Sequence, residues 1–173
     1  MALESFASNV PQNSSILQLT RFTFLIPDRP YLKYFCQTAS IPSVAAGEVT
    51  VPTPFSDTYR HGDRMVFEPL VITAMIDEDL KVWQETYNWM NSLASPQSFE
   101  QYPRKSMGDR TPLYFDGFLT VNTNSNNPNL RIKFQNCFPT SLGAIQFDTK
   151  TDADNIPTCD FTFRYDLFEI ERL

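Results

Sequence analysis

The sequence predicts a mainly β fold, a small antiparallel β-sandwich or barrel with one flanking α-helix. Three observations predict it. Phe occurs 15 times and Tyr 7 times in 173 residues, a bias toward side chains that suit pleated, half-buried surfaces. The stretch from Thr158 to Leu167 alternates apolar and polar residues strictly. Only Leu80 to Leu93 carries apolar residues at helical spacing. Thirteen Pro against five Gly add many chain breaks but few glycine-dependent turns. A chain of this length buries ~70% of its unfolded surface and needs no staples. Residues 1–14, polar and rich in Asn and Ser, read as a flexible N-terminal arm, and residues 15–173 as one domain.

The elements follow in order. Leu17, Leu19, Phe22, Phe24 and Ile26 mark a first strand, kinked near Thr20. Ile26 to Pro30 is a turn, and Tyr31 to Thr38 reads as the returning strand of a hairpin. Pro42, Pro52 and Pro54 bracket a weakly patterned stretch, either an exposed arm or an edge hairpin, since proline is tolerated at edges. Met65 to Ile76 is apolar on both faces and reads as a strand covered on both sides. Asp77, Glu78 and Asp79 then stand where carboxylates cap a helix and favour its positive end. In that helix Leu80, Trp83, Tyr87 and Met90 form the expected helix–sheet core, widened by Val82, Trp89 and Leu93, and Pro96 stops it. A long polar loop covers Ala94 to Thr111. Leu113–Phe138 reads as a hairpin through the Asn-rich turn 122–129, broken by Pro139. Ile145 and Phe147 mark a short strand before an acidic turn. In the last strand Cys159, Phe161, Phe163, Tyr165 and Leu167 face one way, and Thr158, Asp160, Thr162, Arg164 and Asp166 the other.

The chemistry a sequence can advertise is mostly missing. One histidine, His61, sits in a polar stretch, so no His-based metal cluster is expected. No G-x-S-x-G turn and no glycine-rich phosphate loop occurs. Cys36, Cys137 and Cys159 lack C-x-x-C spacing and are odd in number, so they read as free thiols, Cys137 and Cys159 as small buried hydrophobes in strands, with one intermolecular bridge left open. Asp148, Asp152 and Asp154 lack the spacing of a calcium loop. The net charge of −6 argues against a duplex-DNA binder, which needs clustered Lys and Arg. No signal peptide or apolar run of membrane-spanning length is visible, so no membrane anchor is expected. The expectation is a structural protein, not an enzyme, with no cofactor and no metal.

Several segments, in order, resemble the tail-tube proteins of contractile-tailed bacteriophages. They are Phe35 to Pro42; His61-Gly62-Asp63-Arg64 leading into Phe67 to Ile72; Met75 to Glu78 with a helix ending Tyr87-Asn88-Trp89-Met90; Asn136 to Gly143 with Ile145 to Asp148; and Phe161 to Leu167. Each is weak alone. Their order over roughly residues 17 to 170 carries the likeness.

The resemblance implies a subunit that forms hexameric rings, whose strands join into an inner β-barrel. The rings would stack into a tube inside a contractile sheath, and double-stranded DNA would pass through without specific binding. Implied partners are further copies of the chain, the sheath protein, the baseplate tube initiator and the tail terminator. The implied location is the virion tail, assembled in the host cytoplasm. Ser43, Gly47, Val49, Val51, Phe55, Tyr59 and Arg64 are candidates for contacts between subunits or rings, and Asp160 and Asp166 for the lumen. Alternatives are the tube initiator, an inner tube of a secretion or bacteriocin-like machine, or, in a different class, a small β-barrel binding an apolar ligand. Initiators tend to be longer, which favours the tube subunit.

Overall fold

The computed structural model describes residues 14–27, 29–94, 113–150 and 155–173. The mainly β expectation holds. In chain order the elements are β1 (Phe22–Leu25), α1 (Pro30–Phe35), β2 (Cys36–Ala39), β3 (Val44–Pro52), β4 (Asp57–Phe67), β5 (Leu70–Met75), α2 (Lys81–Ala94), β6 (Phe115–Asn122), β7 (Pro128–Leu142), β8 (Thr158–Arg164) and β9 (Phe168–Arg172). Seven strands form one antiparallel sheet in the order β1-β6-β7-β8-β5-β2, with β9 also on β7. Among the described residues β3 and β4 pair only with each other.

The 15-residue β7 organises the sheet. Its first half pairs with β6 and β9, and its second half with β8. The change falls at a bulge in which Gln135 and Asn136 stand opposite Asp116, between the pairs Phe115–Cys137 and Gly117–Phe134. An extra residue in one strand bends it and sharpens its twist. Asn136 has φ 54°, a left-handed conformation in which Asn is enriched because its short amide bonds locally. Its backbone N–H donates to Asp116 Oδ1 at 3.2 Å, and its Nδ2 donates to Asp166 Oδ2 at 2.6 Å. Gln135 exchanges backbone hydrogen bonds with Asp166 and Leu167 at 3.0 Å, tying the bulge to the bend between β8 and β9. Pro139 therefore does not break the strand. It lies beyond the end of β6, where β7 pairs with β8 alone and a missing N–H is tolerated.

Both halves of the bent sheet face one core. Phe24, Leu119, Ile132 and Phe134 come from one half, and Leu70, Ile72, Ala74, Phe161 and Phe163 from the other. α2 lies across the bend. Trp89 meets Phe115 edge-on at 5.2 Å and Phe163 at 6.0 Å, and its Nε1 donates to the Leu113 carbonyl at 3.0 Å. Asp77 caps this helix, accepting from the N–H groups of Lys81 and Val82 at 3.1 Å each. Burial works against its charge, but these bonds and nearby Lys81 prevail and hold its carboxyl below the usual range.

Several expectations need correction. Tyr31 to Phe35 is helix, not strand. Pro30 presets φ at the first helical position, and only Leu32 of that turn is buried. No β1–β2 hairpin forms, because β1 pairs with β6 and β2 with β5. The apolar run Met65 to Ile76 is two strands separated at Glu68-Pro69. β5 buries Leu70, Ile72 and Ala74 but leaves Val71 exposed. The helix centres its inward face on the widening residues: Val82 and Trp89 are buried with Thr86, while Trp83 and Leu93 pack partly against the core. Leu80 precedes the helix with φ 56°, Trp83 and Met90 are half-buried, and Tyr87 is 43% exposed. Ile145 and Phe147 lie outside any strand, and Phe147 is exposed. Leu167 leaves the last strand's buried face, and β9 follows it as a further strand. His61 lies in β4, opposite Glu48. Most of the N-terminal arm, the loop 95–111, and Asp152 and Asp154 of the acidic turn lie outside the described residues.

Candidate assembly surfaces

The β3–β4 hairpin is the most conspicuous surface feature. Val44–Pro52 and Asp57–Phe67 pair over their lengths, yet every residue of β3 is exposed, and in β4 only Gly62 and Phe67 are partly covered. A solitary two-stranded ribbon is marginal in water. This one carries exposed Val44, Val49, Val51, Phe55, Tyr59, Met65 and Val66. Its root is fixed to the body. Glu68 N–H donates to the Ser43 carbonyl at 3.1 Å, Tyr165 Oη–H to the Glu68 carbonyl at 2.8 Å, and Arg164 to the Phe67 carbonyl at 3.2 Å.

Two glycines shape the ribbon. Register slips between Ala46–Met65 and Glu48–His61, so Gly47 faces the three residues Gly62 to Arg64. A Cβ on Gly62 would stand 2.9 Å from the Gly47 carbonyl group, so the close approach requires glycine there. At the tip Ser56 N–H donates to Thr53 Oγ1 at 3.2 Å and Thr53 N–H to the Ser56 carbonyl at 3.1 Å. Pro54 fixes φ inside that turn, and the next residue, Phe55, is 99% exposed. Ser43, Gly47, Val49, Val51, Phe55, Tyr59 and Arg64 thus all belong to this hairpin or its root.

Asp160 and Asp166 are both exposed but do not form a pair. They lie six positions apart, at most ~20 Å even along a fully extended strand, and each has its own partner. Asp160 accepts from Thr73 Oγ1 at 2.7 Å on the outer face of β8, amid Thr158, Thr162 and Arg164. Asp166 is engaged by Asn136 at the bulge.

Sequence reasoning missed a second apolar surface. Trp83 and Tyr87 stack at 5.1 Å with an interplanar angle of 14°, and with Met90 and Leu93 they form one wall of an open groove. Phe138, Pro139 and Leu142 of β7 form the other wall. The available signal was the excess of apolar residues around α2, more than a single buried stripe uses. The strands β1, β2 and β9 each pair on one side only among the described residues, which leaves backbone edges open to further pairing.

Little of this resembles a reactive centre. The three cysteines are free; burial pushes the Cys36 thiol up to about 11 and the Cys137 thiol up to about 12, and raises that of Cys159. They therefore carry almost no thiolate at neutral pH. Among the described residues no group of three or more His, Cys, Asp or Glu stands together to hold a metal, and no helix is long and apolar enough to cross a membrane.

A bent antiparallel sheet, a helix across the bend and a long hairpin left exposed among the described residues define a β-rich fold. The chain belongs to the phage tail tube protein family, whose model matches residues 5–171. The tail tube terminator protein of Enterobacteria phage T4 is 24% identical over 159 residues, which cover 88% of each chain. The fold is similar to the tube-terminating cap of the anti-feeding prophage, with a TM-score of 0.68 at 13% identity over 98% of this chain and 99% of the other. It is also similar to a chain of the extended sheath–tube complex of PVC, an extracellular contractile injection system, with a TM-score of 0.61 at 15% identity over 92% and 94%. The expected likeness to tail-tube proteins therefore holds at the level of family and fold.

Proposed function

We propose that this chain is the terminator of a contractile tail tube, a ring-forming structural protein at the tube end rather than the subunit repeated along it. The relative named a tail tube terminator, aligned over 88% of both chains, carries this reading. The similarity to a tube-terminating cap over nearly the whole chain supports it. This choice revises the expectation of a repeated tube subunit. The fold alone does not separate the two roles, because a sheath–tube complex chain is nearly as similar.

Surface physics supports an assembling, non-enzymatic role. Two strands of nine and eleven residues present exposed apolar side chains, and a standard interface uses ~20–30 residues a side. Open edges at β1, β2 and β9 allow sheets of neighbouring copies to join, and closure into a ring removes those edges. The partners are then further copies, six to a ring by the family likeness, the tube protein below and the sheath around it. The outer face of β8 carries Thr158, Thr162 and Asp160 beside Arg164, with Thr73 of β5 bonded to Asp160, and such a hydroxyl-rich face without clustered positive charge suits a lumen through which double-stranded DNA slides. The location is the virion tail, with assembly in the cytoplasm of the producing cell.

Gold labelling of the tagged chain in purified particles tests the reading. The expected result is label at one end of each tail tube. Label along the whole tube would restore the repeated-subunit reading, and particles without label would remove both.

A further inference from the structure

The hairpin tip and the α2–β7 groove have matching chemistry on one chain. Phe55 is held out on a turn built by Thr53, Pro54 and Ser56, so little ordering is needed for it to bind. The groove offers the stacked faces of Trp83 and Tyr87, the adaptable Met90, and Phe138 and Leu142 opposite them. Aromatic rings pair well edge-to-face or offset, and methionine fills irregular gaps beside them.

We infer that Phe55 of one copy inserts into the groove between α2 and β7 of a second copy. This rests on the ring-forming reading above and names a contact that holds neighbouring copies together beside the joined strand edges. The occupant is a second copy for reasons of reach and area. Nine extended residues carry the tip ~30 Å from the hairpin root, away from its own sheet. The hairpin's two strands also match one side of a standard subunit interface in size. Another apolar recess, lined by Leu17, Leu19, Phe22, Ile41 and Val121, lacks the stacked ring pair and the methionine that suit an incoming Phe ring. A tip on one patch and a groove on another make a heterologous contact, the type that closes into rings.

Cysteine cross-linking of the full-length chain tests it. Phe55→Cys and Tyr87→Cys are made in separate, differently tagged chains, both at exposed positions where the fold is spared. Cys137 and Cys159 are buried and Cys36 is half-buried, so the native thiols are less accessible than the two exposed ones. Mixing under mild oxidation is expected to give the mixed disulfide at least ten times faster than Phe55→Cys with Ile170→Cys, a control on β9. In addition, Phe55→Asp is expected to raise the dissociation constant of the ring at least tenfold, while Phe55→Leu stays within about threefold. Cross-linking no faster than the control overturns the inference, whether the groove is empty or filled from within the same chain. Intact rings from Phe55→Asp overturn it too. The location of the label in particles is read separately, so the end-of-tube reading and this contact can fail independently.

Discussion

Cutting the hairpin back to its root separates assembly from folding. The register supplies the design. Ala46 and Met65 are paired, so residues 47–64 can be replaced by Asn-Gly, a two-residue turn suited to antiparallel strands. The pairs Val44–Phe67, Ala45–Val66 and Ala46–Met65 survive, as does the Ser43–Glu68 hydrogen bond. None of the removed residues belongs to the buried core, so almost no core burial is lost. Shortening the excursion about threefold favours folding by roughly 1 kcal/mol through loop-closure entropy. The lost ribbon hydrogen bonds were exposed and offset part of that gain, so the net change should lie within about 1 kcal/mol. Association should respond far more. Val49, Val51, Phe55 and Tyr59 leave the surface, and full burial of such a side chain is worth about 1.5–3 kcal/mol. Allowing half of that at an interface, the ring should weaken by about 3 kcal/mol or more, over a hundredfold. Urea denaturation followed by circular dichroism measures the first quantity, and sedimentation velocity over a concentration series the second. Wild-type rings from the shortened chain would refute the interface argument. A stability loss above about 2 kcal/mol would refute the claim that the hairpin stands apart from the core.

Three further outcomes are expected. Asp77→Ala removes the cap from two N–H groups and should cost about 1–2 kcal/mol in urea denaturation. Because its folded pKa is lowered, that contribution should be present above the unfolded value of about 3.9 and fade as pH falls through the folded one. Glu85 is the opposite case: burial raises its pKa, against the pull of Arg29 and the Leu32 N–H. Its charge then opposes folding, so Glu85→Gln should be no less stable than wild type at pH 7. Any advantage should shrink as pH falls from the folded pKa toward about 4.3; a marked loss at pH 7 contradicts this. Gly62→Ala forces the ribbon apart at Gly47, and should weaken rings in sedimentation velocity while leaving the urea midpoint nearly unchanged.

The parts of the fold legible in the sequence were those where one physical rule acts alone. β8 alternates because one face is buried, and Cys159, Phe161, Phe163 and Tyr165 lie where the pattern places them. Asp77 announces the helix because free N–H groups need acceptors. The failures came where two rules competed. Tyr31 to Phe35 has a composition suited to a strand, but Pro30 opens a helical turn there, with Arg29 resting on the rings of Trp89 and Phe115 at 5.2 and 5.3 Å. On α2 there were more apolar side chains than one sheet could bury, and spacing alone did not say which set would turn inward. Val82, Thr86 and Trp89 did, although Thr86 is polar, because its hydroxyl donates to the Val82 carbonyl at 3.3 Å within the helix. The surplus, Trp83, Tyr87 and Met90, became the groove wall.

That surplus explains why the surfaces we assign to assembly were half legible. A residue facing a partner and a residue facing the core are both apolar, and sequence pattern does not separate them. Val49, Val51 and Phe55 stood out because prolines and weak alternation marked their segment as an edge. Trp83 and Tyr87 did not, because a helix beside a sheet always supplies a competing explanation for an aromatic stripe. The bulge at Asn136 decides between the explanations. By bending β7 away from β6 and onto β8, it lets α2 lie across the bend with Trp89 between Phe115 and Phe163. That orientation turns the Trp83–Tyr87 face toward Phe138 and Leu142, past the end of β6, where no strand of the described residues covers the groove they form. One left-handed asparagine thus bends the sheet around its core and sets aside the face we assign to the neighbouring subunit.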